Sequence, residues 1–333
     1  MMQMLTMPDS AAAKKLYDKL KLAAPDATIL FDQDCRLAID NQHMLDELEI
    51  KLDSDVKIDE KMPAAIQASR QWHPEDTIIK TAHTRLGGNQ FTLIAGPDSI
   101  ESVDHIFAMA DAVKHTGATI LRGGSFKPRT NPYSFQGYGE AGLKAHRAAA
   151  DAFELDMMTE IMDTRDFALI DGYTDIFQVG ARNMQNFSLL KQLGAQQKPV
   201  GLKRGMSATI DDLLNAAEYI LAAGNPNVFL IERGIRTFDH QYTRNTLDIA
   251  AVPVLQKLTH LPVLIDPSHA AGTHDLVAPL ALASAAVGAQ GLMIEIHDHP
   301  KEALVDGAQA ITPVELEKIM QQTQAIRLSL KED

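Results

Sequence analysis

Three cations crowd one short stretch. Arg122, Lys127 and Arg129 stand within eight residues in the run Leu121-Arg-Gly-Gly-Ser-Phe-Lys-Pro-Arg-Thr-Asn-Pro-Tyr-Ser-Phe-Gln-Gly137. Pro128 and Pro132 stiffen the run and restrict the residues before them. Guanidinium forks match carboxylate and phosphate oxygens two at a time, and a lysine adds a point charge. A solvated basic loop is the common fate of scattered Lys and Arg. Two prolines and two glycines supply rigidity that a solvated loop does not need, so the run reads as an anion site.

More charge of the same kind follows other apolar segments, at Arg182, Lys203 and Arg233. Six cations on one mouth would suit two phosphates, or a phosphate and a carboxylate. Asp98, His269, Glu295 and Asp306 form a second set. One imidazole with three carboxylates is an oxygen-rich ligand set that suits Mn²⁺, Mg²⁺ or Fe²⁺ better than a thiophilic metal. For any pair of these four, a hydrogen-bonded buried histidine beside acids is the plainer reading. Glu160 ends a further apolar segment. His297-Asp-His299 reads first as a polar loop and second as an additional metal site.

These residues need a scaffold that brings them together. From residue 89 onward, apolar runs recur at Phe91–Ala95, Ala118–Leu121, Asp156–Thr159, Asp175–Val179, Pro199–Leu202, Val228–Ile231, Pro262–Ile265 and Gly291–Ile294. Segments of helical periodicity such as Asp211–Leu221 and Leu276–Ala286 separate them. Eight strand–helix units over residues 89–333 predict an α/β fold, a TIM (β/α)8 barrel, whose usual size is about 250 residues. In such a barrel the C-terminal strand ends share one mouth, where the charged residues after each run would converge. A doubly wound open sheet is the alternative, but no Gly-x-Gly-x-x-Gly follows the first strand.

Residues 1–60 predict a small ferredoxin-like domain of order β-α-β-β-α-β. Its strands fall near Met2–Met7, Thr28–Phe31, Arg36–Ile39 and Asp55–Ile58. Its helices span Ser10–Ala23, capped by Ser10, and residues 41–52. A regulatory or oligomerising role suits it, because nothing in it looks catalytic. Residues 61–88 predict a connector with a helix over Pro63–Trp72, a hairpin turn at Leu86-Gly-Gly-Asn89, and Trp72 packing it onto the larger domain.

Composition bounds the partners. The chain has 333 residues and a net charge of −13, which argues against nucleic acid and anionic membrane. No apolar run spans a bilayer, and the start does not have the layout of a signal peptide. The single cysteine, Cys35, excludes an intrachain disulfide and suits a reducing cytoplasm.

Over residues 70–333 the chain resembles the 3-deoxy-D-arabino-heptulosonate 7-phosphate (DAHP) synthases, in the subgroup related to 3-deoxy-octulosonate 8-phosphate synthase. The motifs are Ile94-Ala-Gly-Pro97, Leu121-Arg-Gly-Gly124, Lys127-Pro-Arg-Thr130, Tyr133-Ser-Phe-Gln-Gly137, Gly180-Ala-Arg-Asn183, Leu202-Lys-Arg-Gly205, Glu232-Arg-Gly-Ile-Arg-Thr237 and Asp266-Pro-Ser-His269. The resemblance implies condensation of phosphoenolpyruvate with erythrose 4-phosphate, at the entry to the shikimate pathway and aromatic amino acid biosynthesis. It implies that Arg182, Lys203 and Arg233 hold the phosphoenolpyruvate phosphate, with Arg122 and Lys127 near its carboxylate. Arg129 and Thr130 would hold erythrose 4-phosphate. Lys127, Glu160 and His269 would be catalytic, and Asp98, His269, Glu295 and Asp306 would hold a divalent metal that polarises the aldehyde.

Two positions depart from the pattern. Asp98 stands where the family carries a cysteine ligand, and Asn131 where serine is usual. Mn²⁺ fits the resulting set first, with Mg²⁺, Fe²⁺ or Co²⁺ as alternatives. Metal-independent chemistry remains an alternative, since related octulosonate synthases include such members. So do an octulosonate-type reaction on arabinose 5-phosphate and a weakened, phosphate-binding regulatory barrel. The resemblance further implies feedback by tyrosine or phenylalanine and a homotetramer or homodimer.

Overall fold

A computed structural model describes every residue except 1, 33–34, 40–44, 46–47, 49, 60–61 and 331–333, with residue 59 described by its backbone alone. The chain divides into two compact units, Met1–Pro74 and Glu75–Asp333. The division falls inside the segment 61–88 expected as a connector.

The first unit contains strand β1 (Gln3–Thr6), the helix Ser10–Ala23, and strands β2 (Ile29–Phe31), β3 (Arg36–Ile39) and β4 (Lys57–Asp59). The sheet order is β2-β3-β1-β4, and every neighbouring pair is antiparallel. This is the strand arrangement of a ferredoxin-like domain. The second helix, expected over residues 41–52, lies largely outside the described residues. Side chains alternate across β1 and β3 as a strand requires. Leu5, Leu37 and Ile39 meet Ala13, Leu16 and Leu20 of the helix. Met4 and Ala38 face the other way, against Met62, Ile66 and Trp72.

Three expectations are corrected here. The helix N-cap is Asp9 rather than Ser10, its Oδ1 accepting from the Ala12 amide at 2.8 Å. Pro63–Trp72 is a chain of turns and not a helix. Ser69 Oγ donates to the Ile66 carbonyl at 2.7 Å and accepts from the Trp72 amide at 3.2 Å, the local competition by which serine displaces a helix. Trp72 therefore packs within its own unit, on the Met4 face of the sheet.

The second unit opens with a hairpin of β5 (Ile79–Lys80) and β6 (Arg85–Leu86). Its turn is closed by Thr81 and Thr84, whose backbones and the Thr81 hydroxyl bond one another at 3.0 Å. Gly87 and Gly88 follow the hairpin and do not form its turn, contrary to expectation. Eight strands then close a barrel: β7 (Thr92–Gly96), β8 (Ile120–Arg122), β9 (Asp156–Ile161), β10 (Ile176–Val179), β11 (Val200–Lys203), β12 (Val228–Glu232), β13 (Val263–Ile265) and β14 (Gly291–Glu295). All barrel pairings are parallel, and β14 closes onto β7. The expected TIM barrel is thus the observed fold.

Ile94, Ile120, Met158, Ile176, Phe229, Ile231, Leu264 and Met293 fill the interior, joined by Ile79 and Leu86 from the hairpin. Several strands run one or two residues beyond the apolar segment that announced them. Arg122, Glu160, Lys203, Glu232 and Glu295 are therefore strand residues, held by ladder hydrogen bonds rather than by loops. Among the described residues, no helix is long and apolar enough to cross a membrane.

Candidate active site

A cleft of about 550 Å³ opens at the C-terminal strand ends. It gathers nearly every residue singled out from the sequence. Asp98, Arg122, Lys127, Arg129, Thr130, Glu160, Arg182, Lys203, Arg233, His269 and Asp306 line it. Glu295 lies just beneath, 1% exposed.

Two glycines allow the close contacts that shape the site. A Cβ on Gly124 would stand 2.8 Å from Lys127 Cδ and 2.9 Å from the Asp98 carbonyl oxygen, so only glycine lets Lys127 fold back over Asp98. A Cβ on Gly180 would stand 2.0 Å from Glu160 Oε1, so the absent side chain is the room that Glu160 occupies.

One charge network crosses the floor. Lys127 Nζ lies 2.7 Å from Asp98 Oδ2 and donates to the Asp98 carbonyl at 3.0 Å. Arg122 Nη1 lies 3.4 Å from Asp98 Oδ1 and 3.1 Å from Glu295 Oε1. His269 Nε2 lies 3.1 Å from the same Glu295 oxygen. Behind it, Asp266 Oδ2 stands 2.7 Å from His269 Nδ1 and 2.6 Å from Lys203 Nζ. Asp306 has a left-handed backbone at φ 53. Arg244 meets its carboxylate at 3.0 Å, and Gln309 bridges it to Glu295.

Burial and neighbours set the protonation states. Burial pushes the Asp98 carboxyl up, but Lys127 and Arg122 outweigh it and hold the group well below the carboxylate range. Asp266 is likewise buried yet held well below its ordinary value, by His269 and Lys203. Burial, and then the charge of Asp98, push Glu295 well above its ordinary value. Burial lowers His269 to about 4 against the pull of Asp266, so the imidazole is neutral near pH 7.

This arrangement fits a divalent cation. Asp98, His269, Glu295 and Asp306 each offer one donor atom, and those atoms all lie within 4.8 Å of one another. Asp266 stands beside His269 Nδ1, and Nε2 faces Glu295, so Nε2 is the atom turned toward the cluster. Three carboxyl groups crowded beside a neutral imidazole repel one another until a proton or a cation joins them.

The cations differ in how far they are already spoken for. Arg122, Lys127 and Lys203 face protein carboxylates. Arg182 donates to the Pro128 carbonyl at 3.3 Å. Arg129 and Arg233 each keep a buried Nη1 without a hydrogen-bond partner. Chiefly burial, helped by Arg244 and Arg182, lowers Arg233 from its ordinary value. Asn131 has a local role: its Oδ1 accepts from the Tyr133 amide at 2.9 Å and tightens the turn.

Sequence reasoning passed over several contributors. Asp266 sat inside a quoted motif without a role, although a carboxylate three residues before a candidate histidine was a usable signal. Arg236 and Arg244 also line the cleft, Arg236 from a quoted motif and Arg244 from none. Arg204, cited only within a motif, joins buried Glu232 at 2.9 Å and Asp248 at 2.8 Å, bracing the floor from outside the cleft.

A closed parallel barrel whose mouth surrounds a cation-ready carboxylate cluster with guanidinium groups defines an enzyme for phosphorylated substrates. The chain belongs to the DAHP synthetase I family, which it matches over residues 71–331. It is 50% identical over 243 residues to the phospho-2-dehydro-3-deoxyheptonate aldolase of Thermotoga maritima, covering 73% of this chain and 72% of that one. The structure is similar to the crystal structure of a Thermotoga maritima phospho-2-dehydro-3-deoxyheptonate aldolase (DAHP synthase), with a TM-score of 0.80 at 39% identity over 99% of this chain and 97% of that one. A truncated form of the Thermotoga maritima synthase gives a TM-score of 0.74 at 43% identity over 79% of this chain and 96% of that one. The 2-dehydro-3-deoxyphosphooctonate aldolase of a Cyanothece species is 29% identical over 261 residues, 73% of this chain and 94% of that one.

Proposed function

We propose that this chain condenses phosphoenolpyruvate, erythrose 4-phosphate and water to 3-deoxy-D-arabino-heptulosonate 7-phosphate and inorganic phosphate. The observation that carries the reading is the cleft itself, where cations flank a cluster of one imidazole and three carboxylates. C3 of phosphoenolpyruvate forms a bond to the aldehyde carbon, water adds at C2, and the C2–O bond to phosphate breaks. Lys203, Arg182 and Arg233 receive the phosphoenolpyruvate phosphate. Arg122 and Lys127 receive its carboxylate, and Arg129 with Thr130 receive erythrose 4-phosphate. Holding both anions in one cleft supplies the orientation that a two-substrate condensation needs.

Asp98, His269, Glu295 and Asp306 would hold a divalent cation, Mn²⁺ by preference, which polarises the aldehyde oxygen when bound. Lys127 supplies a proton to that oxygen as the new bond forms. Glu160, seated against Gly180, accepts the proton that the adding water releases. The set with Asp98 has no thiolate, so it favours hard cations more strongly than a cysteine-containing set would.

The test is phosphoenolpyruvate consumption with erythrose 4-phosphate or arabinose 5-phosphate, each with EDTA or Mn²⁺. Turnover with erythrose 4-phosphate and Mn²⁺ is expected. Turnover with arabinose 5-phosphate alone overturns the substrate, and full activity in EDTA overturns the metal. The ferredoxin-like unit serves as a sensor of tyrosine or phenylalanine in this reading. Either amino acid should inhibit the full chain and not a chain beginning at residue 75. We take the enzyme to work in the cytoplasm as a homotetramer or homodimer, which sedimentation velocity can check.

A further inference from the structure

We propose a second cation site in this chain, built by Glu101, His105 and His297 and separate from the Asp98 cluster. One donor atom from each of the three lies within 4.8 Å of the other two, a spacing that small rotations bring to the shell of one ion. Glu101 is already oriented. Its Oε1 accepts from the Leu304 amide at 2.8 Å, and its Oε2 pairs with His297 Nε2 in a hydrogen bond of 3.2 Å. Behind the ring, His297 Nδ1 lies 3.0 Å from Asp298 Oδ1. Nδ1 accepts from the His299 amide at 2.9 Å, so the ring proton sits on Nε2 facing Glu101; a cation at Nε2 would displace that proton to Nδ1, beside Asp298 Oδ1. The His299 amide has Asp298 Oδ1 as a second acceptor at 2.9 Å, which remains to it when Nδ1 is protonated.

His105 is the observation that asks for a ligand. Its side chain is only 10% exposed, and neither ring nitrogen has a hydrogen-bond partner. Asp298 Oδ1 lies 3.4 Å from His105 Nε2, off the line a hydrogen bond needs. The ring is tilted against that of His297, with centroids 4.3 Å apart. A buried imidazole with both nitrogens idle is destabilising, and a cation removes that penalty.

Two imidazoles and one carboxylate, with positions left for water, suit Zn²⁺, Co²⁺, Ni²⁺ or Fe²⁺ rather than the hard ions favoured by the first cluster. Location gives the site its purpose. Glu101 lies three residues after Asp98, and His297 two residues after Glu295, on the ends of the paired strands β7 and β14. A cation there would tie together the two segments that carry the first cluster.

The experiment uses the full chain and Co²⁺, followed by visible absorption and equilibrium dialysis. Asp98→Ala with His269→Ala dismantles the first cluster. The wild-type chain is expected to bind two Co²⁺ ions and this double variant one, with the spectrum of a mixed nitrogen–oxygen shell. Adding His105→Leu, or separately His105→Asn or Glu101→Gln, should weaken the remaining site by more than about tenfold. Melting curves verify that each variant is folded. A double variant that binds no Co²⁺ overturns the site, as does one whose binding survives all three further substitutions.

Discussion

Replacing Asp98 with asparagine removes one negative charge and little volume from the floor of the cleft. Asp98 lies 2.7 Å from Lys127 and 3.4 Å from Arg122, all three side chains 6% exposed or less. At an effective dielectric of about 20 those separations correspond to roughly 6 and 5 kcal/mol of gross attraction. A substrate carboxylate seeking the same two cations must displace this partner. Most of the gross figure returns through desolvation and new contacts, and a charge-assisted hydrogen bond nets about 1.5–3 kcal/mol. Without metal, Asp98→Asn should therefore bind phosphoenolpyruvate about 10- to 150-fold more tightly than the wild-type chain. Mn²⁺ should tighten phosphoenolpyruvate binding in the wild type, because a cation shares the charge of Asp98, and should do little in the variant. Linkage requires phosphoenolpyruvate to tighten Mn²⁺ binding by the same factor. Calorimetric titration with EDTA and with Mn²⁺ measures all of these. Weaker phosphoenolpyruvate binding by Asp98→Asn in EDTA, or Mn²⁺ coupling equal to that of the wild type, would refute the reasoning.

Other predictions follow from single contacts. His146 is fully buried, its Nε2 lies 3.1 Å from the Leu121 carbonyl, and burial lowers it to about 3. The unfolded chain holds this proton below about pH 6.5 while the folded one does not until about pH 3. Its stability is therefore complete above that window and lost as pH falls through it, at up to ~1.4 kcal/mol per pH unit. Urea unfolding at about pH 5 and 7 should show a smaller acid loss for His146→Gln; an unchanged loss dismisses the assignment. Gly180→Ala should displace Glu160 and lower kcat by at least about tenfold, with phosphoenolpyruvate binding nearly retained. An unaltered kcat would remove Glu160 from proton transfer. Thr209→Ala breaks the reciprocal cap with Asp212, both bonds about 3 Å, and should cost about 1 kcal/mol in urea melts with no change in turnover.

What could be read from the sequence follows from what each structure demands of neighbouring residues. Parallel barrel strands are buried on both faces, so all eight appeared as continuous apolar runs, and the charged residue after each run marked the mouth. The small sheet was fainter, because each of its strands is only three or four residues long. Pro63–Trp72 misled because the Ser69 side chain takes up local backbone groups that a helix would have used. His105 gave no signal, since a lone histidine four residues after a glutamate on a helix start is ordinary until His297 is folded against it.

The count of cations is the more instructive case. Six suggested two phosphates, or a phosphate and a carboxylate, but sequence counts charge without its partners. In the folded chain Arg122, Lys127 and Lys203 are held by Asp98, Glu295 and Asp266, whereas Arg129 and Arg233 keep idle donors. An arriving phosphate meets Arg129, Arg182 or Arg233 without displacing a protein carboxylate. The carboxylate of the same substrate reaches Arg122 and Lys127 only by competing with Asp98. Phosphate should consequently dominate binding in the absence of metal, and selection for the carboxylate should depend on how firmly Asp98 is engaged elsewhere.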